Sequence, residues 1–179
     1  MNPLKRASVI ENSRVWTRVQ GVVDETDAAF RGSAFHASLH GGDTGSALFG
    51  ADGEVWTTGT TSAPFLCGLL EQGLSHWQPT LAEATEGDIF VSNDPFSGGC
   101  TLHEIAAVTP LMADARPVAW LATAGYYPDI GGRVPGGVCP EAWDVIKNLP
   151  AAHGLIFPKS RPIPSHGDPI HPKYYYFYK

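Results

Sequence analysis

The chain has 179 residues, of which 43% are hydrophobic and 17% charged; these are values of a globular chain, long enough for one domain with a sizeable core. Twelve Lys and Arg against eighteen Asp and Glu give a net charge of −6, and with no dense basic cluster this argues against nucleic acid or an anionic membrane surface as a partner. No apolar run approaches the ~20 residues of a membrane helix, no long secretory-type apolar stretch stands at the start, and three widely spaced cysteines, Cys67, Cys100 and Cys139, fit reduced thiols in a cytoplasmic protein.

Residues 1–13 are polar and expected to be loosely ordered. From Arg14 the pattern turns helical, with Val15, Trp16, Val19, Val22 and Val23 at three- and four-residue spacing and Ala29 and Phe30 continuing it. Ser13 is a candidate cap, and the helix is expected to end near Gly41-Gly42. Ser46–Phe49 and Glu54–Thr57 flank Gly50-Ala51-Asp52-Gly53 and read as a hairpin, with Asp52 a turn former rather than a catalyst. Pro64 to Trp77 reads as a second helix, with Leu66, Leu69, Leu70 and Leu74 on one stripe and Gln78-Pro79 ending it. Cys67 lies beside that stripe as a buried thiol.

Three apolar, β-rich runs follow at Ile89–Ser92, Ile105–Leu111 and Val118–Ala124. Met112 to Pro117 is the expected turn between the last two, which would then pair antiparallel. Their near-continuous apolarity predicts a sheet covered on both faces. A short helix is expected at Pro140–Lys147. The fold class is therefore α+β: a mixed, mostly antiparallel sheet with packed helices. Residues 14–148 make the domain. Residues 149–179 form a proline-rich tail where regular structure is hard to sustain, ending in Tyr174-Tyr175-Tyr176-Phe177-Tyr178.

The loops carry the chemistry. Ile89-Phe90-Val91 stops at Ser92-Asn93-Asp94-Pro95; Gly98-Gly99 and then Thr101, His103 and Glu104 follow, and a second loop reads Asp129-Ile130-Gly131-Gly132. Loops of Gly, Asp and His at strand ends present reactive groups on a rigid base, although each alone also reads as an ordinary turn. No phosphate-binding glycine motif of either common type is present. His36 and His40 are four apart, but without an H-E-x-x-H pattern they read as capping or surface residues.

Ser46-Ala47-Leu48-Phe49 with Ala51-Asp52-Gly53, Gly87-Asp88 with Asn93-Asp94-Pro95 and Gly98-Gly99, and Asp129-Ile130-Gly131-Gly132 with Pro135-Gly136-Gly137 resemble the hydantoinase B/oxoprolinase family. The resemblance covers roughly residues 31–158, in a group whose members are several times longer, so the chain is read as an N-terminal portion or a divergent short product. It implies a subunit that hydrolyses cyclic amides (hydantoins, lactams or 5-oxoproline) with ATP bound on a partner subunit of the hydantoinase A type, in a hetero-oligomer. The ketone carboxylase branch is the close alternative, and a non-catalytic structural subunit the third.

The same resemblance implies site residues. Asp94, Glu104 and Asp129 are the candidate catalytic carboxylates. Asn93, Gly98, Gly99, Thr101, Tyr126, Tyr127, Gly131 and Gly132 are the candidates to bind a small-molecule substrate. Metal-binding relatives carry a His-x-x-Asp pair after the Asn-Asp-Pro and further His before the Asp-Ile-Gly-Gly. Here Thr101 and Glu104 match the first pair, and Tyr126 and Tyr127 the later imidazoles. A divalent metal (Zn, Mn or Fe) would rest on a reduced set of His103, Glu104 and Asp129. Adjacent strand residues point to opposite faces, so His103 and Glu104 could share a metal only across a bend. The two loops, Asn93–Glu104 and Tyr126–Gly132, are expected to converge on one acidic pocket.

Overall fold

The helical period read from Arg14 belongs to a longer helix, α1, spanning Pro3–Ser33. In the computed structural model, residues 3–82, 84–94, 101, 103–128, 130 and 161–163 are described. The helix start is thus corrected from Arg14 to Pro3, a residue suited to a first helical turn. Its inner face is also narrower than the spacing implied. Val23 is buried and Val19 packs beside it, while Val15, Trp16 and Val22 are exposed.

The expected end near Gly41-Gly42 is corrected too. Helix α1 stops at Ser33, whose Oγ donates to the Phe30 carbonyl at 2.9 Å. A separate short helix, α2 at Ala37–Gly41, starts after His36, which is extended at φ −104° and ψ 141°. The His36 Nδ1 accepts the Ser38 N–H at 3.1 Å, which satisfies a donor that the first turn leaves free. The capping role expected of His36 is therefore observed.

Strands β1 (Thr44–Gly50) and β2 (Val55–Thr58) form the expected hairpin, with Ala47 opposite Thr58 and Leu48 opposite Thr57. Gly53 takes φ 85° in its turn, a conformation that costs glycine nothing, and Asp52 Oδ1 accepts the Glu54 N–H at 3.2 Å. Helix α3 spans Pro64–Leu81 and passes through Pro79, beyond the expected stop. Proline removes one helical donor, but Leu81 at the far end is fully buried in the main core. Burial of a leucine contributes about 1.5–3 kcal/mol, enough to carry the last turn, which closes with Ala82 N–H donating to the Gln78 carbonyl at 3.1 Å.

Strands β3 (Ile89–Ser92), β4 (Glu104–Ala113) and β5 (Arg116–Tyr126) follow. The β4–β5 turn is tighter than the six residues expected. Ala113 pairs with Arg116, leaving a two-residue loop of Asp114 and Ala115 at φ 49° and 60°. Two positive φ values match the twist of a hairpin. Pro110 sits in β4 opposite Trp120, beyond the part of β4 that β3 pairs, so no donor is needed on that side. A further strand, β6 at Arg161–Ile163, pairs with β3 inside the proline-rich tail where regular structure was not expected. It is an edge strand, and edges tolerate proline such as Pro162.

The six strands run in the order β2-β1-β5-β4-β3-β6, with every described pairing antiparallel. The expected α+β class with an antiparallel sheet and packed helices is what the chain adopts. Opposite faces of the sheet take opposite helices. Phe49, Trp120, Ala122, Phe90 and Val108 pack under Leu66, Leu70, Leu74 and Trp77 of α3. Leu48, Ala119 and Leu121 face Val19 and Val23 of α1. Alternation along β1 sends Ala47 and Phe49 one way and Leu48 the other, which is how one strand feeds two cores. Close contact on the α3 side needs Gly45: a Cβ there would stand 2.7 Å from Leu66 Cβ and 3.2 Å from the Cys67 nitrogen.

Candidate functional site

Where β3 ends and β4 begins, the sheet and α3 enclose a pocket. Leu66, Leu69, Leu70 and Trp77 of α3 form one wall, with Ala106 and Ala124 on the sheet, and Ser92, Asn93, Asp94 and Glu104 supply the polar side. Antiparallel pairing explains the convergence. The last residue of β3, Ser92, lies opposite Ala106, and Glu104 lies opposite Tyr126, so the far end of β3, the start of β4 and the end of β5 reach the same edge of the sheet.

The polar groups are deeply placed. Asn93 is 1% exposed and Glu104 9%. Ser92 Oγ accepts the Asp94 N–H at 3.2 Å, which turns the chain out of the strand. The Glu104 carboxylate accepts the Thr101 N–H at 2.5 Å, and its own N–H donates to the Thr101 carbonyl at 3.4 Å. Hydrogen bonds to a carboxylate hold it more firmly than neutral pairs do. Thr101 therefore positions Glu104 through its backbone, while its hydroxyl accepts the His103 N–H at 3.3 Å.

His103 joins the two loops. Its carbonyl accepts the Tyr127 N–H at 2.8 Å, and its Nδ1 bonds the Tyr127 carbonyl at 2.7 Å. Its ring stacks on Tyr126 with centroids 5.6 Å apart and planes at 25°. Burial raises the Tyr127 phenol above its usual pKa of 10.0, so it stays protonated and remains a donor. Ile105 and Tyr127 pack against the buried Ile130.

The candidates thus fall into three groups. Asn93, Asp94 and Glu104 share the pocket. Thr101 bonds Glu104, Tyr126 pairs opposite it, and His103 ties to Tyr126 and Tyr127. Gly98, Gly99, Asp129, Gly131 and Gly132 lie outside the described residues, as does the helix expected at Pro140–Lys147. The pocket wall of α3 and Ser92 were missed as site residues; the only signal in the sequence was that the leucine stripe and the strand end must meet somewhere.

A divalent metal tests poorly against these residues. Thr101, Tyr126 and Tyr127 offer hydroxyls where imidazole binds such ions better. His103 has one nitrogen engaged by a carbonyl, and Asp129 lies outside the described residues. Among the described residues, no three His, Cys, Asp or Glu side chains gather so that they could hold a metal ion. The described set does not fit a metal centre. Also among the described residues, no helix is long and apolar enough to cross a membrane.

Comparison with known proteins agrees with this architecture. The sequence pattern that defines the hydantoinase B/oxoprolinase family matches residues 9–158. The chain is 27% identical over 139 residues to 5-oxoprolinase 1 of Arabidopsis thaliana, covering 75% of this chain and 11% of that protein. It is 33% identical over 76 residues to the caprolactamase subunit beta of Pseudomonas jessenii, covering 42% of this chain and 12% of the relative. The crystal structure of the ATP-dependent caprolactamase from Pseudomonas jessenii superposes with a TM-score of 0.66 at 26% identity, covering 93% of this chain and 27% of that one. The chain therefore spans about a tenth of the length of these two relatives.

Proposed function

The chain belongs to the hydantoinase B/oxoprolinase family, and on that premise we propose that it contributes the amide-binding half of an ATP-dependent hydrolase of cyclic amides. The observation that carries the reading is the pocket in which Asn93, Asp94 and Glu104 face an apolar wall of α3. A lactam or hydantoin has the matching division, with ring methylenes on one side and a polar amide on the other; the cavity, about 10 Å³ as it stands, has room for one water and must widen to admit the ring. Opening the ring adds water across the C–N bond. It needs a base to take a proton from water and an acid to return one to the leaving nitrogen. Asp94 and Glu104 are assigned those proton transfers. Asn93 is assigned a hydrogen bond to the amide, and the Tyr126 and Tyr127 phenols the developing oxyanion. Asp129 stands as a third carboxylate, and Gly98, Gly99, Gly131 and Gly132 as loop glycines at the substrate, on the strength of their motifs.

Resonance makes the amide a poor electrophile, and ATP hydrolysis supplies the driving force. Following the family resemblance, we assign ATP to a separate subunit of the hydantoinase A type or to a separate region of a fused chain. A second reading rests on the family resemblance, by which Thr101, Tyr126 and Tyr127 match positions of imidazoles; it suits a non-catalytic subunit that keeps the scaffold alone.

Reconstitution with such an ATP-binding subunit tests both. Hydantoin, 5-oxoproline and 2-pyrrolidinone are assayed for ring opening coupled to ADP release. Glu104→Gln is expected to lower kcat by about 100-fold or more, the scale of a lost general acid or base. Unchanged turnover in Glu104→Gln and Asp94→Asn would favour the scaffold role. Incorporation of labelled bicarbonate into a ketone would favour a carboxylase.

A further inference from the structure

Helix α1 is longer than the sheet it covers. Gln20 bonds Thr57 and Thr58 of β2, and the Trp16 ring meets Trp56 edge-on, with centroids 6.4 Å apart. Beyond that contact the helix continues back to Pro3, and every residue from Ser8 to Arg18 is exposed. At 1.5 Å per residue the part before Trp16 projects roughly 20 Å. A free helix of that length is marginal in water. Yet the arm carries Val9, 62% exposed, Trp16, 50% exposed, and between them the exposed Ile10 and Val15.

The arm is also opposite in charge to the body it leaves. Lys5, Arg6, Arg14 and Arg18 against Glu11 give residues 1–18 a net +3, whereas residues 19–130 hold fourteen acids against Arg31 and Arg116, a net −12. Among the described residues the one ion pair joins Arg31 to Asp27. Arg14 and Arg18, four apart on the helix, therefore repel each other with no acid paired to either. Because α1 is one unbroken helix, the arm cannot turn back onto its own acidic body. A second copy of the chain can receive it.

We propose that the arm seats on the β1–β2 hairpin of a second copy, in a two-fold dimer with both arms exchanged. The hairpin stands at the foot of the arm and exposes Val55 and Trp56 beside the exposed Asp52 and Glu54. Two antiparallel arms bring the tip of each to the foot of the other. The basic, apolar arm then meets an acidic, apolar surface on each side of the axis. A stable interface takes roughly 20–30 residues from each partner, and the arm with the adjoining hairpin is of that extent. The pocket is walled by α3 on the opposite face of the sheet from α1, so the dimer leaves it open and stands apart from the amide reading.

Sedimentation velocity of the full chain over a range of concentrations tests this. A reversible dimer of the 19.2 kDa chain is expected, weaker as sodium chloride screens the opposite charges. Val9→Asp, on the exposed arm, and Glu54→Lys, on the exposed hairpin, are each expected to weaken the dimer about tenfold, a loss of about 1.4 kcal/mol, with helical circular dichroism unchanged. Mixing the two variants is the decisive step. The Val9→Asp chain still offers an intact hairpin and the Glu54→Lys chain an intact arm, so the mixture is expected to associate more tightly than either variant alone.

A chain that stays monomeric at every concentration in low salt overturns the proposal. So does a dimer insensitive to salt or to both substitutions. A mixture no tighter than its components overturns it too, because arms that pack on each other cannot complement in this way. Binding to phosphatidylserine vesicles by a chain that stays monomeric would assign the arm to a lipid surface instead. If Val9→Asp fails to fold, Ile10→Asp on the same arm takes its place in the mixture.

Discussion

Asp27 is 0% exposed, yet it carries a charge in mid-helix. Its carboxylate meets the Arg31 guanidinium at 2.8 Å and accepts the hydroxyls of Thr44 and Ser46 at 3.2 Å and of Thr61 at 3.1 Å. One side chain thus ties α1 to β1 and to the loop before α3. A buried charge persists only when fully hydrogen-bonded. Asp27→Ala leaves three hydroxyls without their acceptor and a partly buried guanidinium without its carboxylate. We expect it to destabilise the fold by about 2–4 kcal/mol, seen as a lower urea midpoint at unchanged slope; a midpoint equal to wild type would mean the network contributes nothing. Local pattern hides this, because an acid four residues before an arginine reads as a solvated helix pair. The seats of Asn93 and Asp94 after one apolar run and of Glu104 before another, at strand ends, were legible from the edges of those runs. Their roles in catalysis are the proposal made above.

At the scale of elements, local chemistry predicted the pairs that are close in sequence. The Asp52-Gly53 hairpin and the β4–β5 hairpin are both present. The second turn was placed too wide because Ala115 stands where the usual turn signal, Asp-Gly, would have a glycine. That mismatch is testable. Ala115 at φ 60° bears the cost of a side chain in the left-handed region, about 1–2 kcal/mol, and Ala115→Gly removes it. The added freedom of the unfolded chain returns about 0.4–1 kcal/mol of that gain. A net stabilisation of about 0.5–1 kcal/mol is expected, read as a higher Tm; a lower Tm would mean the turn is not under strain. The helix ends were the least legible features. Pro79 reads as a stop, and only the buried seat of Leu81 explains why α3 passes it.

For the whole molecule, β1 is the shared element. It pairs with β2 and β5, and its two faces feed the α1 and α3 cores. Neither helix can leave without exposing a face of the same strand. Unfolding of the two layers is therefore expected to be one transition, with tryptophan fluorescence and far-ultraviolet circular dichroism giving superimposable urea curves. Two separated transitions would show that α1 and α3 form independent units. Residue order alone settled a good deal: the class of the fold, the antiparallel hairpins and the leucine stripe of α3 follow from short-range periodicity and turn chemistry, and the family was legible from its motifs by resemblance. Packing across the sheet decided the rest. It set which helix covers which face, buried Asp27, and closed a pocket between α3, the end of β3 and the start of β4. Those features depend on contacts between residues far apart in the chain, and no local pattern of side chains encodes such distances.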